Sequence, residues 1–330
     1  MTSPEDFFLL ADIGGTNTRV ALARGQHVQQ GSIRRFANKG QPGIEAILKA
    51  YLAESGTTGC VGACVAAAGP VRDGVAVMTN LDWTIRPANL AAATGVRHVA
   101  VLNDLQAQGH ALGHLAPEAL RTLLPGPAAA PGAGASQLVI GVGTGFNAAP
   151  VHETPSGRIV APSECGHVSL PVRTDADRRL QRFVETAHGF AGVEDALSGR
   201  GLERVDAWAA AEAGRPASRS AAEIVAAIGT GGDPVAEMAG ETFVRRLGAV
   251  AGDLALIHLP FGGVYLIGGV ARAFTDHYAR FGFGEAFRDK GRFSDFMANF
   301  PVRIVEDDFA ALTGCAAYLH REMAGGDRGR

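Results

Sequence analysis

Charge is sparse in this sequence and nearly balanced in sign. Only 19% of its residues are Asp, Glu, Lys or Arg, and the formal net charge is −3. A chain so close to neutral gives no electrostatic reason to expect nucleic acid or an anionic membrane surface. Cysteines number four and are scattered, at Cys60, Cys64, Cys165 and Cys315, which excludes a disulfide framework. No apolar run approaches the length that crosses a bilayer. The opening residues MTSPEDFFLL are acidic where a secretory signal would be basic. Neither a Walker GxxxxGK[ST] nor a GxGxxG behind a strand is present, so P-loop NTPases and Rossmann dehydrogenases both fit poorly. At 330 residues and 47% hydrophobic composition, the expectation is a soluble, cytoplasmic enzyme of two domains.

Glycine, by contrast, is abundant at 44 residues, and the stretch that organises the chain turns on two of them. In FFLLADIGGTNTRVALA, Phe7 to Ala11 reads as a buried strand, Asp12 interrupts it, Gly14-Gly15 turn it, and Val20 to Ala23 return. The tip of this hairpin offers a carboxylate, unencumbered backbone amides and small polar side chains, the makings of a phosphate cradle. A carboxylate there repels phosphate, so Asp12 makes sense only with a divalent cation between them. An ordinary Gly-Gly turn with an Asp remains the plainer alternative at this point.

Further strands are expected at Gly31–Phe36, Gly59–Ala68, Val75–Trp83 and His98–Leu102, and helices from Pro42 and after Asp104. Cys60 and Cys64 would share one face of a strand as core residues. The Pro/Gly/Ala-rich LLPGPAAAPGAGASQ reads as a link near a domain boundary. Beyond it Ser136–Ala149 repeats the strand, glycine turn and returning strand of the opening, a weak internal repeat. Thr242–Leu259 is a core helix, Gly263–Val270 a strand ending in a third Gly-Gly, and Val302–Val305 a strand. Phe309–Met323 forms a helix that returns to the first domain, and the tail AGGDRGR is expected to be disordered.

Three strand-then-glycine turns, at Asp12, Gly141 and Ile267, would converge on one nucleotide. Asn103-Asp104 ends a strand, where α/β proteins put reactive groups, and an aspartate there can take a sugar hydroxyl's proton during phosphoryl transfer. The plainer role for Asp104 is to cap the next helix. Glu164 and His167, three residues apart around Gly166, suit hydrogen bonds to one polyol better than a metal. His110 and His114 read as surface or helix-face residues, Arg245-Arg246 as a solvated face, and Glu185 as an exposed carboxylate.

Taken in order, DIGGTNTR, LND at Leu102–Asp104, GTGFN, SECGH, ALSGRGL, FGGVYLIGGV and EAFRDKGRF resemble the motifs of bacterial glucokinases, ATP-dependent hexose kinases of the actin-like sugar kinase superfamily. The resemblance runs from about Phe7 to Leu319. It implies an α/β, ribonuclease H-like fold of two domains closing over an interdomain cleft, with 1–115 plus 306–330 as the small domain and 116–305 as the large. It implies phosphorylation of glucose by ATP with Mg²⁺, usually by a homodimer. Asp104 would be the catalytic base. Asn103, Glu164, His167, Glu194 and backbone at Gly145 would bind the sugar. Asp12 would organise Mg²⁺, directly or through water. Gly14, Gly15, Thr16, Asn17 and Thr144 would meet the phosphates, with Gly268 and Gly269 beside the adenosine. Two positions depart from the family pattern. Asn147 stands where the second phosphate turn usually has glycine; asparagine tolerates a left-handed backbone, so the turn is expected to survive with the side chain crowding either a phosphate or the glucose-side backbone, and Asn147→Gly is expected to lower the ATP KM or raise turnover. Cys165 replaces a common glycine and narrows the sugar side. A kinase for another hexose or amino sugar, and a catalytically weakened sugar-binding regulator, are the alternatives the residues leave open.

Overall fold

A computed structural model describes residues 7–78, 81–127, 134–155, 157–215 and 218–325. The expected tail beyond Gly325, the middle of the Pro/Gly/Ala link and residues 79–80 lie outside them. The first part of the chain runs β1 (Phe7–Ile13), β2 (Asn17–Arg24), β3 (His27–Val28), β4 (Arg34–Ala37), α1 (Ile44–Ser55), β5 (Gly62–Ala67), β6 (Val71–Arg72), β7 (Val75–Val77), β8 (Thr84–Ile85), α2 (Pro87–Thr94), β9 (His98–Asn103) and α3 (Asp104–Ala111). The middle runs β10 (Leu120–Leu124), β11 (Gln137–Val142), β12 (Phe146–Thr154), β13 (Gly157–Val160), α4 (Asp175–Glu185), α5 (Gly199–Glu212), α6 (Ala221–Thr230) and α7 (Pro234–His258). The chain continues through β14 (Val264–Ile267), α8 (Gly269–Ala273), α9 (Phe283–Arg288), β15 (Val302–Val305) and α10 (Ala310–Gly325). These elements form two compact units. One takes Met1–Ala116, Ser156–Val160 and Asp307–Arg330, the other Pro117–Pro155 and Ala161–Glu306.

In the smaller unit the central sheet runs β3-β2-β1-β5-β9, with β4 also on β2. β1 pairs antiparallel with β2 and parallel with β5, and β5 pairs parallel with β9. Strand alternation divides the apolar residues between two cores. Leu9, Ala11 and Ile13 face Ile44, Ile47, Leu48 and Tyr51 of α1. Phe8 and Leu10 face Leu312, Cys315 and Leu319 of α10. The final helix thus packs on α3, β1 and β5 as the sequence led us to expect. Gly314 permits this: a Cβ there would sit 1.7 Å from the Ala107 carbonyl oxygen of α3.

The larger unit repeats the plan. Its sheet runs β10-β15-β14-β11-β12, with β11 antiparallel to β12, parallel to β14, and β14 parallel to β15. Helix α7 supplies Phe243, Leu247, Val250 and Leu254 to the core beside Leu138, Ile140 and Val142 of β11. It begins at Pro234 rather than Thr242, because Asp233 caps it by accepting from the Val235 and Ala236 N–H groups.

Several local expectations need correcting. Cys60 precedes β5 and packs on the α1 side, whereas Cys64 lies in the α10-side core, so the two do not share a face. The strand starts only at Gly62, and two-residue alternation does not extend back to Cys60. The sequence Gly31–Phe36 divides into a 3₁₀ turn, Gln30–Ser32, and β4. Helix α1 starts at Ile44 rather than at Pro42. His110 is a helix-face residue, but on the buried face of α3, 5.0 Å from Tyr318 between ring centroids. Arg246 is mostly buried and paired with Asp177, while Arg245 alone is exposed. Among the described residues no helix is long and apolar enough to cross a membrane.

Candidate active site

The turn between β1 and β2 is built by residues on either side of it. The Gly14 N–H donates to the Asn17 carbonyl at 3.0 Å, and Ile13 pairs with Thr18. Asn38, just after β4, clasps the turn. Its Nδ2 donates to Gly14 O at 2.8 Å, its Oδ1 accepts from buried Thr18 Oγ1 at 2.7 Å, and its N–H donates to Thr16 O at 2.9 Å. Gly15 and Thr16 are left exposed at the tip. Asp12 sits at the base, largely buried, with Arg19 Nη1 at 3.1 Å. Burial pushes its carboxyl above the ordinary range, and Arg19 pulls it only partly back. A carboxylate so little compensated suits a cation. Among the described residues no group of three His, Cys, Asp or Glu could hold a metal alone. Magnesium bound through one carboxylate and substrate phosphates needs no such cage.

Two strands away, β9 ends in Asn103 and hands over to α3 at Asp104. The ladder pairs Ile13 with Ala67 and Ala67 with Asn103, so Asn103 stands level with Ile13. At about 4.8 Å per strand the separation is roughly 10 Å. Asn103, rather than Asp104, is the residue that caps α3. Its Oδ1 accepts from Leu105 N–H at 3.0 Å, and Gln106 Oε1 returns to its N–H at 3.1 Å. Its Nδ2 holds Gly69 O at 3.0 Å, which leaves the amide one further donor and one further lone pair for a ligand. Asp104 begins the helix and accepts from Leu105 N–H at 2.9 Å.

In the larger unit a second set converges. Between β11 and β12 the Gly143 N–H donates to Gly145 O at 2.9 Å, closing the turn around Thr144. The first residue of α5 abuts it, Gly199 N–H donating to Gly143 O at 2.7 Å. Ser198 caps that helix, accepting from Gly201 N–H at 2.9 Å and donating to Glu194 O at 2.9 Å, which accounts for the ALSGRGL stretch. Glu194 Oε2 accepts from Phe146 N–H at 2.8 Å, and a Cβ on Gly145 would lie 2.6 Å from that oxygen. Gly166 is equally constrained, since a Cβ there would meet Phe146 O at 2.1 Å. Glu164 and His167, flanking Gly166 on a 3₁₀ turn, are both exposed. Gly268 has φ +113° and backs onto Val142 O, with Gly269 beginning α8.

Asn147 is not in this turn at all. It is the second residue of β12, with no left-handed backbone, and its side chain reaches the 163–165 segment. Its Oδ1 accepts from Ser163 Oγ at 3.0 Å and Cys165 N–H at 3.1 Å. Its Nδ2 donates to Ser163 O and, at 3.4 Å, to Glu164 Oε2. Cys165 Sγ lies 3.5 Å from the same Oδ1, half-buried, and burial raises its thiol above the ordinary range. Of the two expected places, the side chain therefore lies against the backbone beside Glu164 and not in the turn.

A glucokinase family model matches residues 9–322, nearly the whole described chain. The chain belongs to the glucokinase family. A glucokinase from Mesorhizobium japonicum is 35% identical over 94% of this chain and 90% of its own length. One from Chromohalobacter salexigens is 35% identical over 98% and 99%. The crystal structure of a glucokinase from an Antarctic psychrotroph, 31% identical, superposes with a TM-score of 0.83 over 96% of this chain and 99% of its own. Glucokinase resemblance read from short motifs thus extends through the α/β fold. Those motifs did not point to Asn38, and they contain Ser163 and Asn147 without showing that the two bond each other. The only signal was the departure GTGFN itself, a polar side chain where glycine is usual.

Proposed function

We infer that this member of the glucokinase family transfers the terminal phosphoryl group of ATP to the 6-hydroxyl of glucose, giving glucose 6-phosphate and ADP. Asp104 acts as general base. As the sugar oxygen bonds to phosphorus and the bond to ADP breaks, the hydroxyl proton passes to the Asp104 carboxylate. Asn103, Glu164, His167, Glu194 and the Gly145 backbone hold the sugar hydroxyls. Gly14, Gly15, Thr16, Asn17 and Thr144 meet the phosphates, and Gly268 and Gly269 lie along the adenosine. Asp12 holds Mg²⁺, directly or through water, and the ion supplies neutralising charge at the phosphate oxygens. The small and large domains are taken as 1–115 plus 306–330 and 116–305, in a cytoplasmic homodimer.

The observation that carries this reading is the shared sheet edge: β9 delivers Asn103-Asp104 level with the end of β1 and its glycine turn. Further support comes from three glycines. A Cβ on Gly14 would meet only Asn17 O at 3.4 Å, and one on Gly143 or Gly269 would meet nothing within 4 Å. Among the described residues no packed neighbour requires glycine at these places, which supports a close approach of phosphate or nucleoside there.

Asp104→Asn tests the base. Glucose binding by calorimetry should stay within a few-fold of wild type, while kcat falls about 10²–10⁴-fold. A variant turning over at the wild-type rate would remove Asp104 from the mechanism.

A further inference from the structure

The larger unit holds a cavity of about 390 Å³ lined by none of the residues assigned to sugar or nucleotide. Its charged walls are Arg173 ahead of α4, Asp177 in α4, Glu241, Arg245 and Arg246 in α7, and Asp289 after α9, and Trp208 of α5 lines it too. The volume is that of a small-metabolite site.

Among the described residues two buried donors here lack partners: the indole Nε1 of Trp208, a residue 3% exposed, and Nε of Arg246. A buried indole N–H ordinarily finds an acceptor, and leaving a buried donor unmade costs about 1–3 kcal/mol. Asp177 does not supply the acceptor. One of its oxygens takes the Arg173 and Thr174 N–H groups at 2.8 and 2.9 Å, and the other pairs with Arg246 Nη2. Arg245 has no ion-pair partner among the described residues, and the Arg173–Asp289 pair at 2.6 Å is more than half exposed on both sides. Such a pair is worth little and exchanges readily. Burial, and then the neighbouring Arg173 charge, pull the Arg246 guanidinium below its ordinary range.

We propose that this cavity binds a small organic oxyanion, a phosphate monoester or a carboxylate, through Arg245, Arg246 and the Trp208 indole. The guanidinium fork matches either group in two-point fashion. Asp177, Glu241 and Asp289 offset the three arginines, so the walls carry no net charge and disfavour a polyphosphate; what singles out an oxyanion is the set of unpartnered donors and the exposed, exchangeable Arg173–Asp289 pair. Leu180 and Ala249 on the wall accept a short carbon body. Trp208 lies on α5, the helix whose first turn donates to Gly143 O, so an occupant bears on an element that also supports the second glycine turn.

Calorimetry on the full chain, with glucose and a non-hydrolysable ATP analogue saturating the other sites, tests the proposal. The probes are glycerol 3-phosphate and succinate, which separate phosphate from carboxylate recognition. At least one should bind, and about tenfold more weakly to both Trp208→Phe, which removes only the N–H, and Arg245→Gln, which changes an exposed side chain. Both variants should keep the wild-type melting temperature within about 2 °C, so that lost binding is not lost folding. No binding of either probe at about 20 mM, or equal binding to wild type and both variants, would overturn it.

Discussion

Replacing Asn147 by glycine, the residue usual at this place in the family pattern, separates two incompatible pictures of the second hairpin. If Asn147 lay in the phosphate turn, the change would relieve crowding, lowering the ATP KM or raising turnover. In the structure it instead ties β12 to the Ser163–Cys165 segment, by two bonds accepted at Oδ1 and one donated from Nδ2 to Ser163 O. At about 0.5–1.5 kcal/mol net for each bond, the loss is about 2–4 kcal/mol of local ordering. The glycine also adds backbone freedom and leaves the Cys165 N–H without its acceptor. If roughly half of that energy is recovered only when sugar orders the loop, binding weakens by about 1–2 kcal/mol, and the glucose KM rises about 5- to 30-fold. Steady-state kinetics with both substrates varied read this directly. The ATP KM should stay within about twofold and kcat should change less than the glucose KM. An unchanged glucose KM, or an effect confined to ATP, would refute the assignment of Asn147 to the sugar-side loop.

Gly145→Ala should act on the same side, because its Cβ would lie 2.6 Å from Glu194 Oε2 and must displace that carboxylate. Glucose titrations should show a KM increase of about tenfold or more at a melting temperature close to wild type. Gly314→Ala should instead damage folding. Its Cβ would lie 1.7 Å from Ala107 O, so α10 must lift from α3, and thermal or urea denaturation should register a loss of about 2–4 kcal/mol. His110 should make stability depend on acid. Burial, and then the charges of Arg321, Arg158 and His114, lower it from 6.5 to about 3, so below pH 6.5 the unfolded chain takes up a proton that the folded one refuses. Its contribution is therefore intact above 6.5 and lost as pH falls toward 3, about 2 kcal/mol of it by pH 5. Urea midpoints measured from pH 7.5 to 5 should fall less steeply in His110→Gln, and parallel slopes would show that another group is responsible.

The elements legible in the sequence were those whose pattern is set within a few neighbouring residues. The β1–β2 and β11–β12 hairpins and β9 are marked by apolar runs punctuated by glycine or Asn-Asp, β15 by a short apolar run between Pro301 and Glu306, and α10 by its helical apolar spacing, and each lies close to where those signals placed it. Harder to read were contacts made over long separations. Nothing near Asn38 announces that it will hold a turn 24 residues earlier, because its own surroundings are an unremarkable strand end. His110 and Arg246 belong to residue types that are usually solvated, and only the packing of α10 and α4 buries them. Asn147 misled for a sharper reason. A motif written as a string treats neighbours as equivalent, yet crossing from the last turn residue into a strand reverses where a side chain points.

The two hairpins show how one backbone plan acquired two chemistries. In the first, Ile13 pairs with Thr18 and Asp12 with Arg19; in the second, Val142 pairs with Phe146 and Gly141 with Asn147. The position that carries a carboxylate and its counter-cation in one copy thus carries glycine and a neutral amide in the other. With no charged partner opposite, Asn147 is free to serve the Ser163–Cys165 loop, while Asp12 remains the under-compensated carboxylate beside its own turn. A kinase that binds one triphosphate and one cation needs a metal-organising acid once. A second carboxylate in the β11–β12 turn would set negative charge beside the phosphates that turn is proposed to meet, with no counter-cation opposite it in the ladder. On the function proposed, placing aspartate at Gly141 should therefore weaken ATP binding rather than add a second metal site.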